Sequence, residues 1–271
     1  MTTVLVWLVV LLCPLSVIEA SLDRNDVKVR YFIGPEVCYS IDKSHEPFSK
    51  KTVIIGDSVC NQMYPAEEDY PNAVSLACNM NISMAGHYFL LKNYLKANQD
   101  CPPDTVALIL TPEGVQNELD NKYAYHYMLK NFMNREYKDD FNQELWERIK
   151  KVPVYWSASL PFIRVSNYSP RYHDQAGSDF ALFSPVSQTY LRLMTDLADT
   201  YGFKLLLLCP PTDIDKKEQI LKRLEESKIR EEIPAEFLDE YTETVSFVRD
   251  SVSDGLHFKR NCIPDDPFHL L

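Results

Sequence analysis

Residues 53–62 read Val-Ile-Ile-Gly-Asp-Ser-Val-Cys-Asn-Gln. The apolar run Val53-Ile54-Ile55 stops at Gly56-Asp57-Ser58, so a buried strand delivers a serine to its own exit turn. Glycine, aspartate and serine are ordinary turn residues, and that alone accounts for the triplet. The other account makes Ser58 a nucleophile held at the end of a strand. The two readings are separated by what stands elsewhere in the chain.

Outward from this stretch the pattern alternates. Thr52 to Ile55 reads as a first strand and Ala73 to Ala77 as a weaker second one. Thr105 to Leu110, ended by Thr111-Pro112, and Phe203 to Leu208, ended by Cys209-Pro210-Pro211, repeat the design. Runs this apolar on both faces suit a parallel sheet covered by helices. The intervening segments His87–Asn98, Asn117–Asn134, Asp140–Lys151, Pro185–Tyr201 and Asp213–Arg230 read as helices. Ser184 before Pro185 is an N-cap signal and Gly202 a stop. The expectation is an α/β fold with a doubly wound, mostly parallel sheet flanked by helices, as a three-layer, flavodoxin-like sandwich.

At 271 residues one large core is expected, and the net charge of −11 argues against a nucleic-acid groove. The seven glycines assemble neither a dinucleotide nor a P-loop fingerprint. There is no C-x-x-C and no H-E-x-x-H, and the six histidines are scattered, so neither a metal nor another cofactor is expected. The apolar run Val4 to Ile18 suits the core of a signal peptide, or a short anchor, in residues 1–20. An exported protein, periplasmic or extracellular, follows, with membrane contact only through that segment if it is kept. Residues 21–50 read as an extension and 51–271 as the α/β domain. Six cysteines beyond residue 20 permit disulfides without indicating a pairing, and Cys60 and Cys209 read as small core residues.

A serine needs a base, a group to orient that base, and donors for the oxyanion. In an open parallel sheet ligands bind beyond the carboxyl ends of the strands, the edge on which Ser58 lies. The base candidate is His257, in Asp254-Gly255-Leu256-His257, where the spacing lets Asp254 accept from the imidazole. Gly56-Asp57-Ser58 after a strand, with Asp254-x-x-His257 far along the chain, resembles the GDSL/SGNH hydrolase superfamily. That resemblance implies Ser58, His257 and Asp254 as catalytic residues. It also implies an oxyanion hole of the Ser58 and Gly86 N–H groups and the Asn117 amide, Gly86 lying in "NISMAGHY" and Asn117 in "LILTPEGVQNEL". The family's third block has asparagine two residues after glycine, whereas Asn117 stands three after Gly114. The T-P-x-x-x-x-N arrangement is similar to that of bacterial SGNH proteins that modify surface polysaccharides.

By that resemblance the function is a serine esterase that removes an acyl group, an O-acetyl on a carbohydrate being the favoured substrate, so that the partner is a small-molecule or glycan acyl ester and not a nucleic acid. An O-acyltransferase acting on a glycan shares the first half-reaction. A non-catalytic carbohydrate-binding or scaffold protein on the same fold is the reading from another class. Residues 152–183 interrupt the alternation with Tyr155, Trp156, Phe162, Tyr168, Tyr172 and Phe180, together with Arg164 and Arg171. This insertion reads either as a lid or sugar platform or as irregular packing onto the core.

Overall fold

The computed structural model describes residues 34–160, 166–173 and 179–271, together with Val6 and Ile163. The signal or anchor expectation therefore lies, but for Val6, outside the described residues, as do Phe162 and Arg164. Among the described residues no helix is long and apolar enough to cross a membrane.

Four strands, β1 (Thr52–Gly56), β2 (Ala73–Ser75), β3 (Thr105–Ile109) and β4 (Lys204–Leu208), form one sheet in the order β2-β1-β3-β4. Every pairing is parallel, with Gly56 opposite Ile109 and Ile109 opposite Leu208. Strand side chains alternate between faces. Val53, Ile55, Val106, Leu108, Leu205 and Leu207 accordingly join one core cluster, while Ile54, Ala107, Ile109 and Leu208 join another. Both faces are buried, which is why these strands read as continuous apolar runs.

The helices that bear on the sheet and the site are α1 (Pro35–Ser44), α2 (Ser58–Met63), α3 (Ser83–Ala97), α4 (Pro185–Tyr201), α5 (Lys217–Arg230) and α6 (Ala235–Thr244). The first face carries α1, α3 and α4 and a dense aromatic group around Phe89, whose ring centroid lies 5.3 to 5.9 Å from those of Phe132, Tyr137, Phe141 and Tyr190. The second face is covered by α2, through Val59, Cys60 and Met63, and by Phe258, Ile263, Phe268 and Leu270. A parallel sheet flanked by helices is thus the architecture, as expected. Strand order reverses direction between β1 and β3, so the switch point at which such sheets bind ligands lies at the ends of these two strands.

Local signals explain most element bounds. The Ser184 hydroxyl accepts from the Ser187 N–H at 3.1 Å, Pro185 opens α4, and Gly202 closes it in the left-handed region at φ 76°. The segment 117–134 is not one helix. Asn117 Oδ1 accepts from the Leu119 N–H at 3.0 Å, and Leu119 takes φ 64°, so the backbone turns away from helix there. Helix resumes after Asn121, which caps Tyr123 at 2.9 Å, and runs through Lys122–Ala124, a π-helical Tyr125–Leu129 and Lys130–Phe132. Asp213 is not helical either. With Thr212 it forms β5, paired in parallel with β6 (Phe247–Val248), and α5 starts at Lys217. Part of the expected extension is core, since α1 buries Val37 completely. Cys60, Cys78 and Cys209 are buried, and no disulfide joins them to each other or to Cys101 or Cys262.

Gly56 is required by close approach. A Cβ there would lie 2.3 Å from the Ile109 carbonyl oxygen and 2.4 Å from Cys60 Cβ. Gly56→Ala should lower stability by about 3 kcal/mol, since a strand carbonyl cannot yield. Gly202→Ala, where nothing lies within 4 Å, should cost only about 1 kcal/mol from the left-handed φ. Urea midpoints for the two variants check the contrast, and equal losses would contradict it.

Candidate active site

The exit turns of β1 and β3 are joined by one buried carboxylate. Asp57 caps α2, its Oδ1 accepting from the N–H groups of Val59 at 3.0 Å and Cys60 at 3.3 Å. Its Oδ2 accepts from the Thr111 N–H at 2.7 Å and the Thr111 hydroxyl at 2.6 Å. Thr111 Oγ1 in turn accepts from the Gly114 N–H at 3.1 Å. Asp57 is fully buried, and burial pushes its carboxyl up, while all four partners, being donors, favour the ionised form. A Cβ on Gly114 would come 2.9 Å from Asp57 Oδ2, so that glycine makes room for the carboxylate. Ser58 follows as the first residue of α2, where its N–H has no carbonyl one turn back in the helix.

The second half of the site arrives on a hairpin. Val252 bridges Phe258, the Ser253 N–H bonds to the His257 carbonyl at 2.9 Å, and Gly255 turns the chain at φ 78°. Asp254 Oδ1 accepts from the N–H groups of Leu256 at 3.0 Å and His257 at 2.7 Å, which folds residues 254–257 into a capped turn. Gln62, one turn along α2 from Ser58, holds the residue after the imidazole. Its Nε2 donates to the Phe258 carbonyl at 3.1 Å, and its Oε1 accepts from the Phe258 N–H at 2.9 Å. Phe258 itself is buried against the sheet. The turn is also flanked by Lys216, whose side chain passes under Gly255 and pairs with Glu113 from the β3 exit.

These supports bring the three residues into one chain of contacts. Ser58 Oγ and His257 Nε2 are 2.8 Å apart, and His257 Nδ1 and Asp254 Oδ2 are 2.8 Å apart. The hydrogen bonds from the His257 ring and N–H, with that from Leu256, hold the Asp254 carboxyl down at about 2. An ionised Asp254 only accepts, which puts the imidazole proton on Nδ1 and leaves Nε2 to accept from the Ser58 hydroxyl. Side-chain exposure is 35% for His257 and 55% for Asp254, so the imidazole edge faces solvent.

The other two sequence candidates fare differently. Gly86 lies inside α3, and its N–H is committed to the Ile82 carbonyl four residues back, so it is not a free donor. The expectation that Gly86 supplies an oxyanion N–H is corrected on this ground. Its place near the site is explained by packing, because a Cβ would meet Ile82 at 2.7 Å. The uncapped start of α3 instead offers Met84 and Ala85, whose N–H groups have no partner one turn back in the helix. The segment leading into α3 is tied to the β1 exit by the Cys78 N–H, which bonds to the Gly56 carbonyl at 3.0 Å. Ser83, fully buried at the same helix start, holds φ 59° and ψ 174°, a region nearly confined to glycine and strained for serine. Asn117 is buried near this helix start, its amide Nδ2 3.5 Å from Asn81 Oδ1.

Sequence reasoning missed Gln62, Thr111 and the α3 start. The first could have been found from spacing, since residues 58 and 62 share a face of any helix. Thr111 carried the signal of a threonine before proline after an apolar strand. The unusual backbone at Ser83 has no sequence signal.

Asp57→Ala leaves four buried donors without their acceptor, and a loss of about 3 kcal/mol is expected in urea unfolding. The Asp254 carboxyl lies below its unfolded value of roughly 3.9. Its contribution to stability is therefore complete above that pH and is lost as pH falls toward about 2. Asp254→Asn should flatten the change in stability between about pH 4 and pH 2, and an unchanged slope would contradict the assignment.

No family model matches the chain, and no curated protein matches it in sequence. A solved structure described provisionally as a platelet activating factor from Streptococcus pneumonia aligns with 90% of this chain and 89% of its own, at 15% identity and a TM-score of 0.33. A likeness at that level carries no argument about fold or function.

Proposed function

We propose that the protein is a serine esterase that removes an acyl group by a Ser58-His257-Asp254 mechanism. The observation that carries this reading is the continuous chain of 2.8 Å contacts from the Ser58 hydroxyl through the imidazole to Asp254, at the switch point of a parallel sheet. A structural serine has no need of an imidazole already aligned to take its proton. The GDSL/SGNH resemblance in the sequence points the same way.

His257 Nε2 removes the Ser58 proton as Oγ attacks the ester carbonyl, and Asp254 stabilises the imidazolium that forms. The tetrahedral oxyanion meets the Ser58 N–H, the free N–H groups at the start of α3 and the Asn117 amide, in place of the Gly86 N–H first expected. Each such donor is worth about 3 kcal/mol of barrier. The imidazolium returns its proton to the departing alcohol. Water, activated by the same nitrogen, then releases the acid and frees Ser58.

Partial exposure of His257 and Asp254 favours water over a sugar hydroxyl as the acceptor, and hence hydrolysis over O-acyl transfer. The favoured substrate remains an O-acetyl ester of a carbohydrate, and the export expected from residues 1–20 suits a substrate outside the cell.

Purified protein should release p-nitrophenol from its acetate ester and be labelled by a fluorophosphonate probe. Ser58→Ala and His257→Ala should each lower kcat/KM by roughly 10⁴-fold. Gln62→Ala should lower kcat by about 10- to 100-fold through a misplaced imidazole, with KM little changed. Wild-type and Ser58→Ala rates that coincide would remove Ser58 from the mechanism, and the esterase with it.

A further inference from the structure

The stretch 119–132 and the segment 166–173 are tied together by several contacts. Ser169 Oγ donates to the Lys122 carbonyl at 2.7 Å, Tyr172 Oη donates to the Leu119 carbonyl at 3.2 Å, and Asn121 bridges His173. Between them lies a pocket of about 200 Å³ lined by Lys122, Tyr123, His126, Asn167, Ser169 and Arg171. Among the described residues no carboxylate lines it. That matters in a chain with 39 acidic and 28 basic residues, where a patch of this sign is not the default.

Behind the lining residue His126 lies a third cationic group. Lys130 is 5% exposed, and its Nζ donates to the Ser166 carbonyl at 2.5 Å and to His126 Nδ1 at 3.4 Å. It also lies 5.9 Å from the Tyr125 ring centre. None of these partners is a carboxylate, and Lys130 has no carboxylate partner among the described residues. Burial alone lowers it to about 8. A buried ammonium without a counter-charge is costly, and an anion brought in beside it removes that cost.

Two exposed rings stand at this pocket: Tyr123, which lines it, is 49% exposed, and Tyr168, between the lining residues Asn167 and Ser169, is 45% exposed. Tyr168 stands edge-on to Tyr125 at 6.0 Å, and Tyr125 Oη is 2.6 Å from Ser157 Oγ, which brings the 155–159 turn to the same side. The Lys122 ammonium lies over the Tyr123 ring at 4.8 Å from its centre, and this pairing of ring and cation, with Tyr168 and Arg171 beside it, matches a ring that is apolar on its flat face and charged at one substituent. A pyranose bearing an anionic group has that chemistry.

We propose that this pocket binds an acidic sugar unit, Lys122 and Arg171 meeting its carboxylate or sulfate and the exposed rings stacking on its face. Resting on the esterase reading, this makes the parent of the acyl ester an acidic glycan. Binding itself needs no turnover, so it is measured on the Ser58→Ala protein, where loss of binding speaks only of the pocket. Calorimetric titration with a galacturonic acid trisaccharide, a 6-sulfated galactose trisaccharide and a neutral galactose trisaccharide distinguishes the two anions from sugar stacking alone. The expected result is that at least one acidic probe binds about 10-fold or more tightly than the neutral one, with affinity falling as salt rises. Adding Lys122→Gln and Arg171→Gln, both on exposed side chains, should erase that preference. Equal affinity for all three probes, no binding of any, or a preference that survives the double substitution would overturn the proposal.

Discussion

One buried carboxylate organises the carboxyl edge of the sheet. Asp57 accepts two N–H groups from the helix that begins at Ser58, and the N–H and hydroxyl of Thr111 from the neighbouring strand's exit. Past their last paired residues the exits of β1 and β3 are joined in the backbone by one 3.4 Å bond, from the Asp57 N–H to the Ile109 carbonyl, so the two turns gain from a firmer side-chain link. Asp57 supplies that link with four donors in a dry environment, where an unmet donor is expensive. The direction of α2, and with it the position of Ser58 and of Gln62, follows from this junction. Gly56 and Gly114 stand where they do because the junction leaves no room for side chains.

The histidine side of the site depends on that same short helix. α2 offers a hydroxyl from its first turn and, one turn later, an amide that grips the backbone of Phe258 on both its polar groups. The imidazole is aligned less by its own packing than by its neighbour's, with the Asp254 turn setting its orientation. Partners 199 residues apart therefore meet through one six-residue element.

Much of this was legible in the sequence, for physical reasons that differ by element. The runs at β1, β3 and β4 announced themselves because both faces are buried, and α4 because Ser184, Pro185 and Gly202 are strong end signals. The Ser58, Asp254 and His257 set stood out because Gly56-Asp57-Ser58 after a strand and Asp254-x-x-His257 far along the chain resemble GDSL/SGNH blocks, and the fold brings the three side chains together. The segment 117–134 misled, since its apolar spacing is helical while Asn117 diverts the backbone locally and a π-helical turn shifts the phase afterwards. Gly86 misled for a related reason. Its role is close packing on Ile82, and a glycine needed for space looks, in sequence, like one needed for an exposed N–H. The helices α1 and α6 lay in stretches where polar residues outnumber the apolar ones that pack.

The second face of the sheet has an asymmetric cover, with a short helix and the irregular segment carrying Phe258, Phe268 and Leu270 where the first face has long helices. Irregular cover, with few regular hydrogen bonds, belongs among the first parts of a domain to lift away under stress. Here the lifting piece carries the imidazole. On the mechanism proposed above, activity is therefore expected to be lost before the sheet and its long helices melt, and to return when this segment docks again.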